Sequence, residues 1–127
     1  MNSRELNERI KELNIEDFIW VIYIGIIALS FYSNSLERKY FLSNNQFFKD
    51  KYRSIMILIF SILIIVYLYF LKDSYDSVRE LKPDDSESKK NLVWLSFIAS
   101  LLIAISGAIF LYIAFSDEQL DVELAFN

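Results

Sequence analysis

The chain has 127 residues, 54% of them hydrophobic and 24% charged, with a net charge of −4, two Gly, no Cys and no His. These features leave room for one domain and exclude disulfides, thiolate metal sites and an imidazole proton shuttle, which closes most routes to an enzyme. The negative total disfavours general attraction to nucleic acids and anionic lipid, although its distribution along the chain carries more information than its sum.

In chain order, residues 1–14 read as an amphipathic helix. Leu6, Ile10 and Leu13 fall on one face, and Asn2 with Glu5 forms a capping-box variant at its start. Such a helix suits a membrane surface or a neighbouring subunit. Asn14, followed by Glu16 and Asp17, offers a new cap, so a kink is expected near Asn14.

Three stretches then run without a charged residue, from Phe18 to Leu36, from Ser54 to Leu71 and from Asn91 to Ser116. About 18 or more apolar residues in a helix cross a hydrocarbon core of roughly 30 Å. The expected spans are 17–36, 54–71 and 88–116. The first has no small-residue cleavage pattern and is expected to remain as an anchor. The second continues in helical spacing through Leu71, Tyr75, Val78 and Leu81, which predicts an extension to residue 82 beyond the bilayer. Pro83 stops it, and Asp84, Asp85 and Ser86 offer caps for the third helix, giving a helical hairpin with its tip near Pro83. The fold class is therefore an all-α membrane protein with three transmembrane helices, an N-terminal amphipathic helix and that projecting hairpin.

The segment between the first two spans interleaves Tyr40, Phe41, Phe47 and Phe48 with Arg38, Lys39, Lys49, Lys51 and Arg53, a composition suited to lipid headgroups. Those five basic residues face eight on the N-terminal segment and second loop taken together: Arg4, Arg9 and Lys11, then Lys72, Arg79, Lys82, Lys89 and Lys90. The excess predicts a cytoplasmic N-terminus and an external C-terminus, in a cell inner membrane.

On the third span, Ser96, Ser100, Ala104 and Ala108 recur every four residues, with Ser106 and Gly107 beside them. Small residues let helix backbones approach, so this stripe is a packing face whose partner is another span of the same chain or of another copy. The second span is bulky, which predicts an outermost, lipid-facing helix, with the third nearest an oligomer axis. The serines of the stripe would line a pore there or bond back to their own helix. No Asp, Glu, Lys or Arg lies within a span, which disfavours coupled transporters and voltage sensors and leaves a passive pore open. Glu16, Asp17, Asp117 and Glu118 stand at the span ends as candidate pore-mouth acids. The tail over 117–127 alternates Leu120, Val122, Leu124 and Phe126 with Asp121, Glu123 and Ala125, predicting a packed extended segment or a continuation of the third helix. No catalytic constellation, metal-ligand spacing or phosphate loop is present, and no cofactor is expected.

In plan the chain resembles the small channel-forming membrane effectors of bacterial anti-phage defence, of the Hailong type. The likeness rests on the uncharged helical spans, the polar end from Glu16 to Trp20, and the acidic tail Glu123-Leu124-Ala125-Phe126-Asn127. It implies a homo-oligomeric pore that depolarises the inner membrane on infection. It also implies a cytoplasmic regulator, an inhibitory oligonucleotide or a protein, for which Lys72, Arg79, Lys82, Lys89 and Lys90 are the available contacts. The alternative is a non-conducting accessory or immunity subunit of another membrane protein.

Overall fold

The computed structural model describes residues 2–122 and Leu124. It contains three α-helices, α1 over Ser3–Ser43, α2 over Gln46–Arg79 and α3 over Glu87–Ser116, each long and apolar enough to cross a membrane. At 1.5 Å per residue they are about 60, 50 and 45 Å long.

The helix starts follow the capping chemistry. Asn2 accepts the Glu5 N–H at 2.8 Å while Glu5 reaches back to the Asn2 N–H, closing the capping box. Asn45 accepts the Phe47 N–H at 3.0 Å and Ser86 accepts the Lys89 N–H at 3.1 Å, so each helix begins on a side-chain acceptor that satisfies an otherwise orphaned donor. Only Asn44 and Asn45 separate α1 from α2. Asn44 adopts the left-handed region at φ 53°, which Asn tolerates better than most residues, and its N–H closes onto Tyr40 O. The aromatic and basic segment is thus helical almost throughout, split between the end of α1 and the start of α2.

Two expected boundaries differ. No break occurs near Asn14: the amphipathic segment 1–14 and the span 17–36 belong to one uninterrupted helix. Asn costs a helix interior only about 0.7 kcal/mol relative to Ala, and neither Gly nor Pro is nearby to break it. α2 ends at Arg79 rather than at 82, because Asp85 accepts the Lys82 N–H at 2.8 Å and holds the chain in a turn.

The larger correction concerns the order of the helices. α2 is the middle element, not the outermost. It packs on α1 along one side and on α3 along the other, while no Cα of α1 comes within 8 Å of a Cα of α3. Tyr52, Met56, Ile59, Leu63 and Val66 of α2 recur at spacings of four and three and are buried, so the bulky residues are knobs in a core rather than a lipid-facing surface. Tyr67 and Ile64 of α2 lie against Gly107 of α3. Ala104, Gly107 and Ala114 are its buried residues, and Phe60 stacks on Phe110 at 5.5 Å between centroids. The small-residue stripe therefore meets α2 of the same chain through Ala104 and Gly107, whereas Ser100 is half-buried and Ser96, Ser106 and Ala108 remain exposed.

The tail folds back over the α2–α3 end. Asp117 accepts the N–H groups of Asp121 and Val122 at 2.9 and 2.8 Å, Gln119 accepts from the nine-tenths-buried Lys49 at 3.4 Å, and Leu124 is buried against the core. The packed arrangement is present, but Leu120 has φ 56° and residues 118–119 form a turn, so this part is neither an extended ribbon nor a continuation of α3. Glu123, Ala125 and Phe126 of the alternating pattern lie outside the described residues.

A Cβ at Gly107 would sit 2.8 Å from Tyr67 Cδ2 and 3.3 Å from Ile64 Cδ1, whereas one at Gly25 would meet nothing within 4 Å. Gly107→Leu should destabilise the α2–α3 pair by about 1–3 kcal/mol through overpacking. Gly25→Ala should be neutral or stabilising by up to about 1 kcal/mol, since a mid-helix Gly is entropically costly. Thermal unfolding of the purified protein in detergent measures both.

Candidate functional site: the groove between α1 and α3

Because α1 and α3 both lean on α2 without meeting, a groove is left between them. One part of it is a cavity of about 480 Å³. Glu16 and Asp73 stand at its polar end beside Ser74 and Ser77, and the α3 wall carries Ser96 and Ser100. Tyr23 and Tyr67 line it and also line a second cavity of about 500 Å³ between α1 and α2, which runs along Ile26, Ile27, Phe31 and Leu63 and carries Ser30 and Asn34. A polar vestibule is thus joined to a more apolar groove at a pair of tyrosines. Tyr67 lies six residues from Asp73 on the same helix, about 9 Å along its axis.

Asp73 is the unusual charge of this site. Burial raises its carboxyl above the ordinary 3.8, and the neighbouring carboxylates Glu12, Glu16 and Asp76 add to the rise, against a smaller opposing effect of Arg9. α1 supplies Glu12, Glu16 and Arg9, so the contact between the N-terminal part of α1 and the C-terminal part of α2 concentrates acid. No ion pair involving Asp73 occurs among the described residues.

The anticipated site residues separate into groups. Glu16 lines the groove, while Asp17, one position round the helix, is exposed on α1. Asp117 and Glu118 lie at the far end of the molecule. Asp117 is engaged by the tail N–H groups, and although its partial burial acts to raise the carboxyl, those hydrogen bonds and the Arg53 charge outweigh it and hold the group below 3.8. Of the small-residue stripe, Ser96 and Ser100 face the groove, Ala104 and Gly107 are consumed in the α2 contact, and Ser106 and Ala108 touch neither. Of the candidate anion contacts, Lys72 pairs with Asp76 at 3.4 Å, Lys89 with Asp85 at 3.3 Å and Lys90 with Glu87 at 3.6 Å. Arg79 lies over the Tyr75 ring, 5.9 Å from its centroid. Lys82 is exposed and has no ion pair among the described residues.

The vestibule residues that sequence reasoning passed over are Asp73, Tyr23 and Tyr67. The tyrosines did carry a signal: each lies several residues inside an uncharged stretch, deeper than the interfacial belt that Tyr ordinarily occupies. Asp73 falls in the helical extension that the spacing carries beyond the bilayer, and the crossing of α1 half-buries it there.

A carboxyl whose folded value is raised stabilises the fold below its unfolded value, and that stabilisation is lost as pH rises through the folded value. Asp73→Asn should therefore raise the melting temperature at pH 7, with the gain shrinking as pH falls towards 3.8, the ordinary value. Paired melting curves of the two proteins across this range test it, and an unchanged or negative difference at pH 7 would contradict the burial of a strained charge.

Comparisons of the chain with protein-family models, with curated proteins and with solved structures gave no match.

Proposed function

We propose that the three helices span a bacterial inner membrane, with the N-terminus cytoplasmic, and that several copies assemble into an ion channel or pore for small cations. The observation that carries this reading is the groove. Its hydroxyls and carboxylates extend from a charged end into the uncharged segment between α1 and α3. Polar groups exposed sideways to hydrocarbon cost several kcal/mol apiece, so such a groove needs water, another protein surface, or both. Copies arranged around an axis would close it into an aqueous path.

The chemistry of the path favours cations. Glu16 and Asp73 place negative charge at a low-dielectric mouth, where they concentrate counter-ions, and the deeper apolar part suits gating by dewetting. Membrane depolarisation in anti-phage defence is the biological setting that this activity would serve. An oligonucleotide regulator at the same end would have to compete with the ion pairs of Lys72, Lys89 and Lys90, which leave Arg79 and Lys82 as its freest contacts. The accessory or immunity subunit remains the second reading, favoured by exposed Ser106 and Ala108 on α3, a small-residue face available to the helix of another membrane protein.

Planar-bilayer recording of the reconstituted protein decides between these readings. Single-channel currents with cation preference are expected, and Glu16→Lys combined with Asp73→Lys should lower that preference about tenfold or invert it. These positions are better probes than Asp117, whose carboxylate also holds the tail turn. Silence from verified, correctly oriented oligomer would leave the accessory reading standing.

Orientation has its own measurement. A reporter active only in the cytoplasm should work when fused to the N-terminus and fail at the C-terminus, and the opposite pattern would reverse the map.

A further inference from the structure

We propose that α1 is the helix by which copies of this chain associate, packing against α1 of a second copy through a continuous seam on its face turned away from α2. The proposal deepens the homo-oligomer reading above and rests on its membrane placement, but does not depend on conduction.

The seam begins in the first turns of α1 with Leu6, Ile10 and Leu13. It continues at the same spacings of four and three, through Trp20, Ile24, Ile27 and Phe31, with Asp17 its one polar member. All seven apolar residues are between 43% and 74% exposed, whereas the α2-facing residues Ile19, Ile26, Ser33 and Leu36 are buried. A repeat of 3.5 residues keeps a stripe facing one partner along a supercoiled pair; it marks the face in the first turns, where charged residues flank Leu6, Ile10 and Leu13, while in the uncharged segment Phe18 and Val21 are exposed as well.

The decisive feature is that α1 is unbroken. Its first 15 residues share an axis with the uncharged segment that follows, so in the proposed placement they project about 22 Å from the bilayer and cannot lie on its surface. Lipid covers Trp20, Ile24, Ile27 and Phe31 but not Leu6, Ile10 and Leu13; water suits neither group. Another helix running alongside covers both, and a second copy supplies one at the same height, in the same direction and with the same repeat. Burying seven such side chains on each of two helices removes roughly 1,200 Å² from solvent and lipid, the lower edge of specific interfaces.

The geometry also joins this contact to the groove. Trp20 forms part of the wall of the first cavity, and Ile27 and Phe31 of the second. A second α1 seated on the seam would stand across the open side of both. Asp17 would then meet its counterparts where the arm enters the membrane, beside Glu16, converging the mouth carboxylates on one ring.

The native chain has no Cys, so single cysteines introduced into the full-length protein in native membranes report proximity without background. Facing a and d positions of parallel helices come close enough for a disulfide, whereas positions on the outer faces do not. Under mild oxidation Leu6→Cys, Ile10→Cys and Leu13→Cys should form covalent dimers at least about fivefold more than Glu8→Cys and Lys11→Cys. They should also exceed Ser106→Cys and Ala108→Cys on the outer side of α3. Equal cross-linking on and off the seam, dimers through α3 but not α1, or none anywhere would overturn the proposal. Because cross-linking and current are separate readouts, the failure of either claim is distinguishable. Periodic α1 dimers without current would retain the seam and refute conduction, and currents without α1 dimers would do the reverse.

Discussion

The architecture depends on the fit of a bulky α2 against small residues of α3. Gly107 has no side chain where the Tyr67 ring lies, and Ala104 and Ala114 provide similar room further along the helix. In the proposed membrane placement there is little hydrophobic gain from burying one apolar side chain against another, so close van der Waals packing has to hold the helices together. The remaining small residues of α3, Ser96 and Ser100 on the groove wall and exposed Ser106 and Ala108, do not bring any of its Cα atoms within 8 Å of one of α1. α1 in turn packs on the other flank of α2. The bundle is thus a row of three helices rather than a closed triangle.

An open row has functional consequences that a triangle would lack. A triangle would bury its own interior, whereas this arrangement leaves a groove with Tyr23 and Tyr67 on the walls of both cavities and carboxylates at one end. The same separation of α1 from α3 leaves the α1 seam unopposed. Incompleteness within one chain, at both the groove and the seam, is what makes assembly of several chains the economical reading of the fold.

Much of the helical framework was legible in the sequence because its signals are local. The uncharged stretches located the three helices, and Asn2 with Glu5 and Ser86 marked the starts of two of them through side-chain hydrogen bonds spanning three residues. The break expected at Asn14 was a misjudged competition: a cap-forming residue with acids behind it favours a helix start, but costs too little mid-helix to interrupt one without Gly or Pro. The position of α2 was not legible, since bulky apolar residues look alike whether they face lipid or fill holes between neighbours. Periodicity of the small residues on α3 indicated a packing face without indicating the partner. Asp73 and the two tyrosines depended on where α1 crosses α2, a contact between residues some fifty positions apart that no local pattern encodes.

The two ends of the bundle also treat their charges differently. At the end formed by the α1 start and the α2–α3 turn, most cations are matched by carboxylates on the same face, as in Arg4 with Glu8, Arg9 with Glu12 and Lys89 with Asp85, with Arg79 over the Tyr75 ring as an exception. Exposed pairs of this kind contribute at most about 1 kcal/mol each, but they suit segments surrounded by water. At the α1–α2 turn, Lys39, Lys49 and Lys51 instead lie over the rings of Phe48, Tyr40 and Phe47, 5.7 to 6.0 Å from the centroids, and no ion pair involves them among the described residues. Lys49 is buried and also donates to Gln119, whereas Lys39 and Lys51 are exposed and, held over aromatic faces without a carboxylate, can meet phosphate, which matches a headgroup layer rather than open water. In the proposed placement, this asymmetry makes one end a soluble projection on which copies and regulators can act, and the other a collar seated at the opposite membrane face.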